Sequence, residues 1–245
     1  METSVRRVGA GPELVWIHGL GEASTAFDAC VAAMPGWTHV LVDLPGYGMS
    51  PRGEPRGLDE LATELAAWLG ERAPVIAIGH SMGGVLVTTI AERAPVCVRA
   101  IVNIEGNVSP GDCVFSGRAA VYSEAEFAAR GLAEVRAWVG EQAVTSPALA
   151  GYHAAMAHAQ PEMFHRHARD LVALSAREDM AGRFAKLHVP ALYVAGVPDG
   201  ICARSRELLD AAGARWIGIE PAGHWVYADQ RETFVAQVTA FVKET

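Results

Sequence analysis

The stretch Gly79-His80-Ser81-Met82-Gly83 decides the fold predicted for this 245-residue chain. Residues 75–78 before it form a short, apolar run rich in β-branched side chains, which predicts a buried strand. Residues 84–93 after it have the length and the apolar face of a helix. A strand that turns sharply into a helix at Gly-x-Ser-x-Gly is a nucleophile elbow, which exposes the serine hydroxyl. Glycine suits both flanks because a Cβ there would collide with the neighbouring strand or helix.

The chain on either side of this stretch alternates between strand-like and helix-like segments. Strand-like apolar runs occupy residues 14–17, 40–42, 100–104, 191–195 and 216–219. Helix-like segments occupy residues 22–34, 58–72 and 229–242. Such alternation predicts an α/β protein with a mostly parallel sheet that is covered by helices on both faces.

The alternation stops between residues 108 and 186, where no strand-like run occurs. The pattern Ser123-Glu124-Ala125-Glu126 predicts the capped start of a helix that continues to about Val139. Pro147 and Pro161 stand where two more helices could begin. We therefore predict a helical cap at residues 108–186, inserted into a core formed by residues 1–107 and 187–245. Its position places it over the carboxyl edge of the sheet, where such folds bind ligands.

Composition and charge limit the possible partners. The chain has 28 acidic against 20 basic residues, a formal net charge of −8, which argues against nucleic acid and anionic membrane surfaces. No signal peptide and no stretch able to span a bilayer is evident, and the four cysteines have no paired spacing. We expect a cytoplasmic protein with reduced thiols, a small-molecule substrate, and a monomeric or homodimeric state.

The sequence predicts no cofactor and no metal. Gly19-Leu20-Gly21 is too short for the dinucleotide-binding pattern Gly-x-Gly-x-x-Gly. Four histidines fall close together in the cap, yet none of their spacings places two ligands on one helix face. The histidines are His153, His158, His165 and His167.

Four motifs in chain order carry a resemblance to a known family. They are His18-Gly19-Leu20-Gly21, the loop at residues 43–50, the elbow, and Gly223-His224-Trp225. Over nearly the whole chain the sequence resembles the α/β-hydrolase superfamily. The resemblance implies the α/β-hydrolase fold, a doubly wound sheet with a helical cap inserted after strand six. It also implies a catalytic triad of serine, acid and histidine. The short amino terminus leaves room for one strand before Leu14, so we expect a slightly truncated sheet edge.

Ser81 and His224 are the candidate nucleophile and base, because a serine hydroxyl needs an imidazole within reach to take its proton. Two acids compete for the third position. Asp199 stands where the superfamily usually keeps its triad aspartate. Glu105 follows the preceding strand, in a run Asn103-Ile104-Glu105-Gly106-Asn107 that resembles the glutamate loop of haloalkane dehalogenases and zearalenone-type lactone hydrolases. Both stay open here, with Glu105 slightly preferred because glutamate has the longer reach.

The remaining site residues are expected around these. The amides of Leu20 and Met82 would form the oxyanion hole, at the loop after the first motif and at the start of the elbow helix. Gly19, Trp138, Tyr152 and Met156 are candidates for the substrate pocket, although cap-to-core packing explains the last three equally well. His18 is expected to brace its loop, and Asp43 to shape the loop that follows it.

The reaction predicted is hydrolysis of a small to medium, largely apolar carboxylic ester or lactone through an acyl-enzyme on Ser81. Serine at the elbow argues against dehalogenase and epoxide hydrolase chemistry, which need an aspartate there. A lyase or carbon–carbon bond hydrolase using the same triad is one alternative. A ligand receptor with a vestigial triad is another.

Overall fold

The computed structural model describes residues 2–72 and 74–245, in which seven strands form a single sheet. The predicted core begins at Met1, which lies outside the described residues. The sheet order is β1-β3-β2-β4-β5-β6-β7; β1 is antiparallel to β3 and all other neighbouring strands are parallel. The strands are β1 (Ser4–Gly9), β2 (Glu13–Ile17), β3 (Thr38–Asp43), β4 (Val75–His80), β5 (Val98–Ile104), β6 (Ala191–Asp199) and β7 (Trp216–Gly223).

The central strands form where the sequence is apolar without interruption. Every residue of β4 is buried, and so are residues 14–17 of β2, because helices cover both faces of the sheet. The mostly parallel sheet covered by helices on both faces, which the alternation of segments predicts, is confirmed. The expectation of a single strand before Leu14 is also correct, since β1 occupies the sheet edge beside β3.

Helices connect the strands and cover the sheet. They are α1 (Asp28–Ala32), α2 (Leu58–Gly70), α3 (Met82–Arg93), α4 (Val114–Ala120), α5 (Glu124–Glu126), α6 (Leu132–Gln142), α7 (Pro147–Ala155), α8 (Pro161–Ser175), α9 (Met180–Ala185), α10 (Ala203–Ala211), α11 (Val226–Asp229) and α12 (Arg231–Glu244).

Several bounds differ from the sequence prediction, three of them near the candidate site or at the end of the described chain. Residues 22–34 form a 3₁₀ turn (Ser24–Phe27) followed by α1, so Glu22 lies in a loop and not in a helix. The last helix begins at Arg231, after the separate turn of α11. Strand β6 continues to Asp199 and pairs with β7 as far as Asp199 and Gly223, with a register shift between Gly196 and Pro198.

Residues 105–190, all of which the structure describes, contain helices and no strand. The Ser123 hydroxyl accepts from the Glu126 amide and the Glu126 carboxylate accepts from the Ser123 amide, which is the predicted capping box. Pro147 and Pro161 each open a helix. The helix after Ser123 extends to Gln142 through a π-helical turn at Phe127–Gly131. Residues 108–186 as a separate cap remain a prediction.

The order of the strands explains where the candidate site lies. From β2 the chain first adds β3 on one side and then returns to add β4 on the other. Loops that leave β2 and β4 therefore diverge, and doubly wound sheets bind ligands in the crevice that results. The loop after β2 carries Leu20, and the turn after β4 carries Ser81. Within the described residues, no helix is both long and apolar enough to cross a membrane.

Candidate active site

Ser81 stands at a strained turn between β4 and α3. Its backbone has φ +52° and ψ −115°, a conformation that costs a non-glycine residue roughly 1–3 kcal/mol. The backbone passes so close to its neighbours at this turn that two positions have no room for a side chain. A Cβ on Gly79 would lie 2.1 Å from the Gly83 carbonyl oxygen, and a Cβ on Gly83 would lie 2.1 Å from the Ile17 carbonyl oxygen. The Ser81 amide also donates to the Ile104 carbonyl at 2.7 Å. The glycines of the motif are therefore required by contact, as the sequence predicted.

Glu105 contacts the candidate base directly. It follows β5 with φ +55°, and its side chain is fully buried. Its Oε2 lies 3.1 Å from Nδ1 of His224, while its Oε1 accepts the Gly196 amide of β6 at 2.6 Å. Glu105 thus reaches past β6 to the loop after β7. A Cβ on Gly200 would lie 2.3 Å from Glu105 Oε1, so this glycine leaves the space that the carboxylate fills.

Asp199, the other candidate acid, is exposed. Among the residues that the structure describes, its carboxylate has no hydrogen-bond or ion-pair partner. It lies at the end of β6 and borders a surface cavity with His224, but Glu105 is the acid bonded to the imidazole. The geometry therefore brings Ser81, His224 and Glu105 to one place and leaves Asp199 at its rim.

The loop after β2 is held by His18. Nδ1 of His18 donates to the Gly19 carbonyl at 2.8 Å, and Nε2 accepts the Leu44 amide at 3.0 Å. The Glu22 amide donates to the same Gly19 carbonyl at 3.2 Å. Because carbonyl and N–H point in opposite directions across a trans peptide, fixing the Gly19 carbonyl also fixes the direction of the Leu20 N–H. Burial lowers the pKa of His18, which keeps this brace neutral.

Asp43 shapes the next loop, as predicted. Its Oδ1 accepts the Ser24 amide at 2.6 Å and its Oδ2 accepts the Met49 amide at 2.9 Å. A Cβ on Gly48, at φ +55°, would lie 2.5 Å from the same carboxyl group. Asp43 is therefore a structural residue of the turn after β3.

A small cavity of about 20 Å³ lies at Ser81, room for roughly one water molecule. Its lining includes Gly19, Leu20, Ser81, Phe115, Tyr152 and His224. No hydrogen bond joins Ser81 to His224 among the described residues, although the two border the same cavity. Such bonds are often long in free enzymes and shorten when substrate binds.

A second cavity of about 410 Å³ adjoins the first at Phe115 and His224. Trp138 lines it, together with Leu149 and the rim residue Asp199. Of the other predicted pocket residues, Gly19 and Tyr152 line the cavity at Ser81. Met156 is fully buried and belongs to neither lining, so its position fits packing of the helical region.

Sequence reasoning missed a buried carboxylate beside the site. Glu22, 3% exposed, accepts four hydrogen bonds, and no periodicity or motif marks it in the sequence. Two of its donors, the Gly19 amide and His80, adjoin Leu20 and Ser81 in the chain. The one available signal is a carboxylate three residues after Gly19, but the sequence pattern predicts the start of a helix there.

Two histidines of the helical region serve packing. His165 bonds the Tyr122 carbonyl at 2.9 Å, and Nδ1 of His167 bonds the Tyr47 hydroxyl at 2.8 Å. Burial lowers the pKa of His167 to about 3. Within residues 2–72 and 74–245, no group of three histidine, cysteine or acidic side chains is arranged to hold a metal ion.

Comparison with known proteins relates most of the chain to one family. Residues 14–238 match the model of the "Alpha/beta hydrolase family". A pimeloyl-[acyl-carrier protein] methyl ester esterase of Aeromonas hydrophila is 37% identical over 107 residues, 42% of this chain and 41% of that protein. The polyketide synthase ThaQ of Burkholderia thailandensis is 30% identical over 98% of this chain and 12% of its own length. The chain thus matches about two-fifths or less of the length of these relatives.

Solved structures share the fold at low sequence identity. The enol-lactonase of Burkholderia xenovorans superposes with a TM-score of 0.79 at 23% identity, covering 98% of this chain and 96% of that one. A thermophilic esterase of Thermogutta terrifontis gives 0.80 at 18% identity, covering 99% and 93%. At these identities the structures establish the fold alone. The match to the family model, over more than nine-tenths of the described chain, establishes that this protein belongs to the α/β-hydrolase family.

Proposed function

We propose that the protein is a serine hydrolase that cleaves small to medium, largely apolar carboxylic esters or lactones through an acyl-enzyme on Ser81. One observation carries the proposal. A buried carboxylate, Glu105, holds Nδ1 of His224 at 3.1 Å, and that imidazole borders the same cavity as the strained Ser81. This is the constellation that activates a serine hydroxyl for acyl transfer.

In the proposed reaction, Nε2 of His224 takes the proton of Ser81 as its hydroxyl attacks the substrate carbonyl. Glu105 accepts from Nδ1–H, which fixes the tautomer with a free Nε2 and stabilises the imidazolium that forms. The amides of Leu20 and Met82 stabilise the oxyanion, the latter at the first residue of α3, where the helix carries partial positive charge. His224 then protonates the leaving alcohol, and activates the water that releases the acyl group.

The two cavities support the size and polarity of the proposed substrate. The cavity at Ser81 is lined by Tyr152 and Phe115 and has room for one water, so an ester must displace side chains to enter. The adjoining cavity of about 410 Å³, with Trp138 and Leu149 in its wall, offers apolar surface to the rest of a small or medium substrate. Two proteins similar to this chain are named for ester substrates, a methyl ester and an enol-lactone, which supports the same bond type.

The test is turnover of p-nitrophenyl acetate, butyrate and hexanoate and of a set of γ- and δ-lactones, by the wild type and by Ser81→Ala. We expect turnover by the wild type, loss of at least ~10³-fold in Ser81→Ala, and fluorophosphonate labelling of Ser81 alone. Chromatography of the products distinguishes hydrolysis from lyase or carbon–carbon bond cleavage. Stoichiometric binding without turnover by a folded wild type would instead support the receptor alternative.

A further inference from the structure

Glu22 has all of its hydrogen-bonding capacity filled by protein donors. Its Oε2 accepts the Gly19 amide at 2.6 Å and Nδ1 of His80 at 2.8 Å. Its Oε1 accepts the Trp225 indole N–H at 2.7 Å and the Tyr227 hydroxyl at 3.0 Å. Each carboxylate oxygen has two lone pairs, so four donors fill every acceptor position of this carboxylate, which is only 3% exposed.

Three of these four donors are adjacent in sequence to residues of the proposed machinery. Gly19 precedes Leu20, His80 precedes Ser81, and Trp225 follows His224. The carboxylate therefore joins three loops that leave β2, β4 and β7, strands that are not all neighbours in the sheet.

His80 makes a second connection between two of these loops. Its Nε2 lies 2.9 Å from the carbonyl oxygen of His224, and the two imidazole rings lie 4.7 Å apart. A carbonyl oxygen only accepts, and so does an ionised carboxylate, so both ring nitrogens of His80 must carry a proton. The hydrogen bonds thus define His80 as an imidazolium paired with Glu22.

The direction of each pKa shift agrees with this assignment. Burial alone would raise the pKa of the Glu22 carboxyl, but the charge and hydrogen bond of His80 outweigh it and lower the pKa to about 2. Burial alone would lower the pKa of His80, yet Glu22 and the His224 carbonyl raise it above its ordinary value. Both pKa shifts favour the charged forms of the two side chains.

We propose that the buried Glu22–His80 ion pair is a positioning device for catalysis, which fixes the oxyanion loop, the nucleophile turn and the histidine loop relative to one another. The inference rests on the proposed hydrolase function. Both side chains border the cavity at Ser81, but among the described residues neither is hydrogen-bonded to the Ser81 hydroxyl or to the His224 ring. Their hydrogen bonds reach the Gly19 amide, the His224 carbonyl and the side chains of Trp225 and Tyr227. Displacing catalytic groups by about 1 Å can cost ~10²-fold in rate, which sets the scale of the effect.

The test compares Glu22→Gln with Glu22→Asp and with Asp43→Asn. Asp43 is a matched control because it is also a buried carboxylate that accepts backbone amides, those of Ser24 and Met49, yet among the described residues its carboxylate makes no hydrogen bond to Gly19, His80 or Trp225. We expect ~10²-fold lower kcat on p-nitrophenyl acetate in Glu22→Gln, with KM within threefold. Glu22→Asp should recover part of that loss, and Asp43→Asn should lower the melting temperature but keep kcat within threefold.

The outcomes separate this inference from the function on which it rests. A wild type inactive on every ester and lactone overturns the proposed function. An active wild type with unchanged kcat in folded Glu22→Gln, or an equal kcat loss in Asp43→Asn, overturns the positioning role alone. Should Glu22→Gln not fold, imidazole ¹⁵N NMR of the wild type at pH 6.5, the ordinary pKa of histidine, decides. A His80 ring that mostly carries two protonated nitrogens supports the ion pair, and a mostly neutral ring refutes it.

Discussion

Replacing Glu105 by glutamine is the sharpest perturbation of the proposed triad. The substitution keeps the shape of the side chain, and its oxygen can still accept the Gly196 amide that Glu105 now accepts at 2.6 Å. The new NH₂ group then faces Nδ1 of His224, where the carboxylate oxygen stood at 3.1 Å. Because an amide N–H donates, Nδ1 must become the acceptor, and the ring proton moves to Nε2. An imidazole with Nε2 protonated cannot take the proton of Ser81.

The magnitude follows from the role of the tautomer. In serine protease triads the same acid-to-amide change lowers kcat by ~10⁴-fold without disturbing the geometry. For Glu105→Gln we expect a loss of ~10³–10⁴-fold, which corresponds to about 4–5.5 kcal/mol of transition-state stabilisation at 1.36 kcal/mol per factor of ten. The KM should change little, because Glu105 is fully buried and the imidazole separates it from the substrate.

The assay measures kcat and KM on p-nitrophenyl acetate for Glu105→Gln and Asp199→Asn, with thermal unfolding to show that both variants are folded. Asp199→Asn should keep kcat within about threefold, because that carboxylate is exposed and is not bonded to the imidazole. The reverse result, a large loss in Asp199→Asn and near wild-type activity in Glu105→Gln, would refute the assignment of the acid.

Two further predictions concern stability. Gly83→Ala places a Cβ 2.1 Å from the Ile17 carbonyl oxygen and should destabilise the fold by about 3 kcal/mol. Gly182→Ala in α9 meets nothing within 4 Å and should stabilise the fold by about 0.5–1 kcal/mol. Urea unfolding measures both free energies, and equal effects of the two substitutions would contradict the argument from contact. The second prediction is a pH dependence. The pKa of Glu22 is lowered from 4.5 to about 2 in the folded state, so its contribution of about 3 kcal/mol is present above pH 4.5 and is lost as the pH falls towards 2. The raised pKa of His80 acts oppositely, with stability present below 6.5 and lost as the pH rises through the folded-state value. Urea unfolding from pH 5 to 2.5 should therefore show a shallower fall in Glu22→Gln than in the wild type, and parallel curves would count against the pair.

The strands and several helix starts were predictable because their causes are local. A strand buried on both faces is apolar at every position, as at residues 75–78, and proline at a first helical position marks the starts of α7 and α8. The extension of β6 to Asp199 was not predictable in this way. It depends on backbone pairing with β7, and Val197 and Pro198 carry no apolar alternation that would show it.

The choice of acid could not be made from the sequence, because Glu105 and Asp199 both lie where neighbouring parallel strands end, at the same sheet edge. What distinguishes them is tertiary: the Gly196 amide directs Glu105, and the missing Cβ of Gly200 leaves room for its carboxylate. The pair of Glu22 and His80 was equally hidden, because the two residues are 58 positions apart and neither belongs to a repeating pattern.

Backbone strain alone does not distinguish Glu105 from an acid at the surface. Ser81, Glu105 and Glu178 are the described non-glycine residues with positive φ. Glu178 lies at the turn after α8 and pairs with Arg204 at the surface, so positive φ alone does not indicate function. Glu105 differs because its side chain is fully buried and bonded to His224. Glycine at position 105 would relieve the strain, but it would leave both the Gly196 amide and Nδ1 of His224 without the carboxylate that bonds them. The strained backbone at Glu105 therefore coincides with a carboxylate that links β6 to the imidazole.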